Sequence, residues 1–87
     1  MDVQELKNFF KEHLVPNKLY HIGKGSKSGR LCLRCDKGGF WEVFFGEKRD
    51  KVGVMRFASE NEACHRMMDE MCKIMEQIYG ITWRGLA

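Results

Sequence analysis

The sequence lacks a long hydrophobic run, since its wholly apolar stretches extend over only two or three residues. A transmembrane helix needs about 20 consecutive, mostly apolar residues, so we expect no membrane span. The first residues, Met-Asp-Val-Gln-Glu-Leu-Lys, include acidic side chains and do not form the apolar core of a secretory signal. The sequence therefore favours a cytoplasmic protein.

Proline and repeated segments are also scarce. The chain has one proline among 87 residues, and it contains no internal repeat or low-complexity tract. A hydrophobic content of 44%, with two tryptophans, two tyrosines and six phenylalanines, is typical of a folded chain rather than a disordered one. A chain this short has room for one hydrophobic core, so we expect a single domain over residues 1–87.

A recognisable catalytic motif is absent as well. The three histidines, His13, His21 and His65, fall in three different predicted elements, and no serine or cysteine has the context of an activated nucleophile. The glycines of residues 23–29 resemble a phosphate-binding loop only loosely, because the Gly-Lys-Ser/Thr ending is missing and a strand follows. We therefore predict that the protein is not an enzyme and uses no cofactor.

The four cysteines raise the question of a metal site. Cys32 and Cys35 form a C-x-x-C motif, and Cys64, His65 and Cys72 follow later; these residue types bind zinc. However, residues three apart in a strand point to opposite faces, and positions 64 and 72 would lie about 12 Å apart along one helix. We predict no metal site and no redox role, and free thiols fit a reducing compartment.

Helical spacing and capping signals predict a helix at each end of the chain. The first helix begins at Asp2, which has Glu5 three residues later, and ends before Pro16. The second helix extends from about Glu60 to Tyr79, between a capping box at its start and a glycine at its end. Its methionines are typical of a core, although adaptable binding proteins also use methionine-rich faces.

Four segments between the helices have the alternation or the turn boundaries of strands: residues 19–22, 30–36, 40–45 and 52–57. In the third segment Trp41, Val43 and Phe45 alternate with Glu42 and Phe44, which predicts one buried and one solvated face. The expected fold is α+β, with an antiparallel sheet of three to four strands flanked by an N-terminal helix and a long C-terminal helix, in the order α-β-β-β-β-α.

Positive charge is concentrated in the strand region. Residues 18–56 hold ten Lys/Arg against four Asp/Glu, whereas the two terminal segments hold five against eight. The sheet and its loops are therefore expected to be basic, and the helices acidic on their solvent side. This distribution is consistent with ordinary solubilising loops or with a docking surface for an acidic partner.

From Trp41 onward the chain has an aromatic strand, a Glu-basic turn, and then Phe-x-Ser-Glu-x-Glu-Ala-Cys leading into a helix. With this order of motifs, roughly residues 19–79 resemble small immunity proteins of bacterial contact-dependent inhibition and polymorphic-toxin systems. The residues that carry the resemblance are Trp41, Glu42, Phe44, Glu47, Phe57, Ser59, Glu60, Glu62, Ala63 and Cys64. The resemblance implies a non-catalytic antitoxin, a toxin inhibitor that acts by protein–protein interaction with one cognate toxin domain.

Two polar loops are the predicted partner-binding region, because neither can serve the core. They comprise residues 23–30 and 47–51, and hairpin topology would bring them near one edge of the sheet. The predicted contact residues are Lys24, Lys27, Lys48, Arg49 and Lys51, with Phe44 as an apolar anchor at the centre.

Two alternatives remain open from the sequence. In the first, nucleic-acid bases stack on the aromatic residues Phe40 and Phe44 of the basic sheet, which would make the protein a small nucleic-acid-binding module. Immunity proteins that oppose nucleases are often acidic, so a toxin could also dock on the acidic helical side, which carries Asp69 and Glu76.

Overall fold

The computed structural model describes residues 1–48 and 50–83. Its elements, in chain order, are α1 (Val3–Glu12), a 3₁₀ turn (Asn17–Leu19), β1 (Tyr20–Ile22), β2 (Leu31–Cys35), β3 (Trp41–Glu47), β4 (Asp50–Phe57) and α2 (Glu60–Tyr79). This order confirms the predicted α+β fold, with four strands between two helices. Among the described residues, no helix is both long enough and apolar enough to cross a membrane.

The four strands form one sheet in the order β1-β2-β3-β4. β3 is antiparallel to both of its neighbours, as predicted, but β1 is parallel to β2, with Tyr20 opposite Leu31 and Ile22 opposite Leu33. The prediction of a purely antiparallel sheet is therefore wrong, because the sheet is mixed. The physical reason is that residues 23–30 do not close a hairpin; they carry the chain back so that β2 starts beside the start of β1.

Both helices begin at the predicted caps. The Asp2 side chain accepts a hydrogen bond from the Glu5 N–H at 2.8 Å, and the Glu5 carboxylate accepts one from the Asp2 N–H at 3.2 Å. The Ser59 hydroxyl accepts a hydrogen bond from the Glu62 N–H at 3.1 Å, and Gly80 ends α2 in the left-handed region at φ 77°. These local interactions confirm the predicted bounds of the second helix.

One face of the sheet, called here the helix face, packs against both helices. Leu33 and Val43 on the strands, and Leu6 and Phe10 on α1, are fully buried in this core. On α2 the methionines face the same core, with three of them buried: Met67, Met71 and Met75. This placement confirms that methionine fills the core under the sheet.

The opposite face, called here the outer face, is also covered. Phe44 on β3 and Cys32 on β2 lie opposite each other, and both have 0% exposure. On the helix face Val43 is buried and Trp41 is half-buried, but Phe45 is 41% exposed. The expected simple alternation of buried and solvated residues along β3 is therefore wrong at positions 42, 44 and 45, since Glu42 is also buried, at 8% exposure.

A bulge in β4 accounts for the exposure at this end of the sheet. Val43 pairs with Met55, whereas Phe45 pairs with Val52, so one extra residue is inserted on β4, where Gly53 has φ 65°. A bulge bends its strand and increases the local twist. Neither Phe45 nor Val52 packs against the buried core cluster, and Val52 is 48% exposed.

Candidate partner-binding surface

Residues 23–30 form a crossover loop that covers the outer face. The Gly29 N–H donates to the Gly46 carbonyl at 2.8 Å, and the Gly46 N–H donates to the Arg30 carbonyl at 2.9 Å. The Cys32 thiol lies 3.4 Å from the Arg30 carbonyl oxygen. The loop has no apolar side chain, so its backbone hydrogen bonds hold it against the sheet.

The turn between β3 and β4 is joined to this crossover loop. The Lys48 N–H donates to the Ser28 hydroxyl at 3.1 Å, and Lys48 adopts the left-handed backbone region at φ 54°. Lys24, Lys27 and Lys48 are exposed, and within the described residues none of the three forms an ion pair. We call these three lysines and the two joined loops that carry them the basic loop surface.

The two remaining predicted cations differ from these three. The Lys51 ammonium pairs with a Glu42 carboxylate oxygen at 3.1 Å, and 32% of its side chain is exposed. Because it neutralises a carboxylate of its own chain, Lys51 offers less charge to a partner than an unpaired lysine. Arg49 lies outside the described residues.

Phe44 does not provide a surface anchor, so that part of the prediction is wrong. Its ring has 0% exposure. The Arg34 guanidinium carbon lies 5.7 Å from the ring centre and the Lys51 ammonium lies 5.3 Å from it, which places two cations over the aromatic ring. Phe44 is therefore a buried residue of the outer face, and Arg34 and Lys51 lie between its ring and the solvent.

Glu42 connects three strands on the same face. One of its carboxylate oxygens accepts hydrogen bonds from Arg34 on β2, at 2.9 Å, and from Lys51 on β4, at 3.1 Å. Burial alone would raise the pKa of the Glu42 carboxyl, but these hydrogen bonds and the two positive charges outweigh burial and lower the pKa from its usual value of 4.5. The charged triad fixes the outer face at neutral pH.

We predict that Glu42 makes folding sensitive to acid. Because its pKa is lowered in the folded state, its contribution to stability is complete above its usual value of 4.5 and is lost as the pH falls through the folded-state value. The melting temperature, measured across a pH series, should therefore fall more steeply in acid for the native protein than for Glu42→Gln. An equally steep fall in the variant would contradict this prediction.

The geometry does not supply the aromatic platform that the nucleic-acid alternative requires. Phe40 is 42% exposed, but the Arg56 guanidinium carbon lies 4.5 Å from its ring centre. Arg56 is held there by a 2.8 Å ion pair with Asp36. Since Phe44 is buried, these two rings do not form a pair of exposed surfaces on which successive bases could stack.

The cysteines lie in separate environments. Cys32 is buried on the outer face, Cys35 is exposed, and the Cys72 sulfur lies 3.2 Å from the Thr82 hydroxyl oxygen. Burial raises the pKa of the Cys64 thiol to about 11, so this thiol stays protonated at neutral pH. In the part of the chain that the structure describes, no three His, Cys, Asp or Glu side chains are grouped so that they could hold a metal ion.

The sequence-based predictions did not include an apolar groove at the C-terminal ends of the two helices. Leu14, Tyr79, Ile81 and Trp83 are among its lining residues. The sequence did not indicate this groove, because only the structure places the end of α1 at Glu12 and Leu14 at the position after the helix where glycine is usual.

No family model, no curated protein and no solved structure matches this chain.

Proposed function

We propose that this chain is a non-catalytic binding protein that neutralises a cognate bacterial toxin domain by forming a tight complex with it, as the resemblance to immunity proteins implies. The observation that carries the proposal is the basic loop surface. Its three exposed lysines lie on two loops that are joined by the hydrogen bond from the Lys48 N–H to the Ser28 hydroxyl. The partner that this surface fits is a protein with an acidic patch.

Rigidity of the loops supports this proposal. The hydrogen bond between Gly29 and Gly46, at 2.8 Å, holds the backbone of the crossover loop against β3, and the one between Lys48 and Ser28, at 3.1 Å, holds Lys48 against the same loop. A loop that is ordered before binding loses less conformational entropy when the complex forms. The left-handed backbone of Lys48 has a cost in conformational free energy. Residues in such conformations are concentrated at functional sites.

Two of the three histidines, His13 and His21, have contacts that stabilise the local backbone. The Nδ1 atom of His13 lies 2.9 Å from the Phe9 carbonyl oxygen, and the Nε2 atom of His21 lies 2.8 Å from the Lys24 carbonyl oxygen. In each ring a nitrogen is thus engaged with the backbone. His13 thereby stabilises the end of α1, and His21 stabilises the start of the crossover loop.

Charge reversal on the two loops tests the proposal. Lys27→Glu combined with Lys48→Glu should leave folding intact, because exposed charges usually change stability by no more than about 0.5 kcal/mol. The double variant should bind the cognate toxin domain at least about tenfold more slowly than the native protein, and it should fail to protect cells that express that toxin. Association rates and cell survival are the measurements.

The matched control reverses two exposed lysines on the helices, Lys11→Glu with Lys73→Glu, which changes the net charge by the same amount. It breaks the 3.5 Å ion pair between Lys73 and Glu70, which is solvent-exposed and contributes little to stability. This control should still protect. If the loop variant protects fully and the helix variant does not, the toxin docks on the helical side. If the native protein binds RNA or DNA alone, with an affinity that falls steeply as salt is added, the nucleic-acid function replaces the proposed one.

A further inference from the structure

An apolar groove lies at the C-terminal ends of α1 and α2, and it has no role in the proposed function. Its volume is about 510 Å³. The apolar residues that line it are Leu14, Pro16, Met75, Tyr79, Ile81 and Trp83. Three of these side chains are strongly exposed: Leu14 at 84%, Ile81 at 56% and Tyr79 at 49%. Contiguous exposed apolar surface of this kind marks an interaction site.

Leu14 is the most informative residue of the groove. The Val15 N–H donates to the Phe10 carbonyl at 2.9 Å, and the Leu14 N–H donates to the Lys11 carbonyl at 3.2 Å. These are the two hydrogen bonds of a Schellman motif, whose left-handed position is usually glycine. Leu14 occupies that position at φ 57°. A leucine there is strained, and because its side chain is 84% exposed, the fold gains little from its packing.

The far wall of the groove is fixed in place. The Trp83 ring contacts the Phe9 ring edge-on, with 5.0 Å between ring centres, and it lies 5.6 Å from the His13 ring. Thr82 is 6% exposed, and its hydroxyl donates to the Glu76 carboxylate at 3.1 Å. The groove is therefore formed before any partner arrives, which lowers the entropic cost of binding.

The electrostatic setting of the groove favours a cation. Both helices end beside it, and a helix C-terminus carries partial negative charge on its last carbonyl groups. The last turn of α1 contains Lys11, which does not line the groove, and the last turn of α2 contains no basic residue. Glu12 lines the groove and has no ion pair within the described residues, and the described lining includes no lysine or arginine.

We infer that this groove binds a cationic amphipathic segment of a partner protein. Apolar side chains of the segment fill the space beside Leu14, Ile81 and Trp83, and its lysines or arginines face Glu12 and the two helix ends. This docking mode places apolar anchors in a groove and charged groups on its rim. The site is separate from the basic loop surface, so it does not depend on the proposed function.

The test uses a fluorescent peptide that repeats leucine at helical spacing and carries lysine at its other positions. Fluorescence anisotropy should show saturable binding to the native protein. A matched peptide with glutamate at every lysine should bind at least about tenfold more weakly, because it meets the same apolar surface with the wrong charge.

Variants of the protein locate the site. Leu14→Gly should weaken binding of the lysine peptide about tenfold while the melting temperature is retained or rises, since glycine relieves the strain at this position. Glu12→Lys should also weaken binding, whereas Lys27→Glu with Lys48→Glu should not. The matched control is Val54→Ser, which removes an exposed apolar side chain, 44% exposed, on β4 away from the groove.

Three outcomes would overturn the inference. The first is equal binding by Leu14→Gly and the native protein, and the second is equal binding of the lysine and glutamate peptides. The third is a native dimer, detected by analytical ultracentrifugation, that Leu14→Gly converts to a monomer. In that case the groove is covered by a second copy of this chain.

Discussion

Replacing Phe44 with alanine should destabilise the protein far more than the same change at its neighbour Phe45. Phe44 is fully buried, so Phe44→Ala should lower the free energy of unfolding by about 3–5 kcal/mol, which is a large part of the stability of a small domain. Phe45 is 41% exposed, and Phe45→Ala should cost about 1 kcal/mol. Urea denaturation of the two variants at pH 7 measures both values.

The expected difference follows from what surrounds each ring. Phe44 lies opposite Cys32 on the outer face, under the cations of Arg34 and Lys51. Removing the ring would leave a cavity beneath two charged groups whose side chains are held by Glu42. Phe45 pairs with Val52 on the exposed end of the sheet, where water can fill the space that alanine leaves.

Equal losses for the two variants would contradict the described difference in burial between the two rings, and a larger loss for Phe45→Ala would show that β3 presents the opposite faces from those described. Cys32→Ala is a useful companion variant. It removes the small buried side chain opposite Phe44, and it should cost less than Phe44→Ala because fewer atoms leave the interior. The order Phe44, Cys32, Phe45 is the expected ranking.

The helices could be predicted from the sequence because their ends depend on local chemistry. The capping hydrogen bonds join residues that are three positions apart, Asp2 with Glu5 and Ser59 with Glu62. Gly80 ends α2 in the left-handed conformation, which glycine adopts without steric strain. Interactions of this kind are present in the sequence before the chain folds. The α+β architecture could be predicted for the same reason, since strand and helix periods differ.

The direction of β1 and the cover on the outer face could not be predicted in this way. Residues 23–30 contain no apolar side chain, so no hydrophobic pattern indicates that they pack against the sheet. Their packing depends on backbone hydrogen bonds to Gly46 and on the small size of that glycine. A period of two identifies alternate faces, but it does not distinguish Phe44 from Phe45 when both faces are apolar and one end is exposed.

The candidate site also combines a feature that could be predicted from the sequence with one that could not. The sequence indicates that the loops are basic, but it does not indicate which cations are already paired. Glu42 engages Lys51 and Arg34, because antiparallel pairing places all three on adjacent strands of one face, whereas Lys48 is left exposed. The groove escaped prediction because its two walls are distant in the sequence, around Leu14 and around Ile81.

The second large effect is expected at Gly46. Its backbone does not require glycine, because its φ does not lie in the left-handed region. The constraint is spatial: a Cβ atom on residue 46 would lie 2.2 Å from the Lys27 carbonyl oxygen and 3.0 Å from the Lys27 carbonyl carbon. Both atoms belong to the backbone, so the crossover loop itself must move to admit a methyl group.

Gly46→Ala should therefore lower the free energy of unfolding by about 3 kcal/mol, the upper part of the usual range for overpacking. It should also separate the loops, because the Gly29–Gly46 hydrogen bond is adjacent to the clash. Faster amide exchange at Gly29 and Lys48, together with weaker toxin binding than the loss of stability explains, would report this separation.

Gly38→Ala is the matched control. Its nearest neighbour would be an Asp36 carboxylate oxygen at 3.4 Å, which is ordinary contact, so the change should stay within about 0.5 kcal/mol. If Gly46→Ala is equally mild and amide exchange is unchanged, the crossover loop does not rest on β3 as described. The basic loop surface would then lack the rigid support from which its binding role is argued.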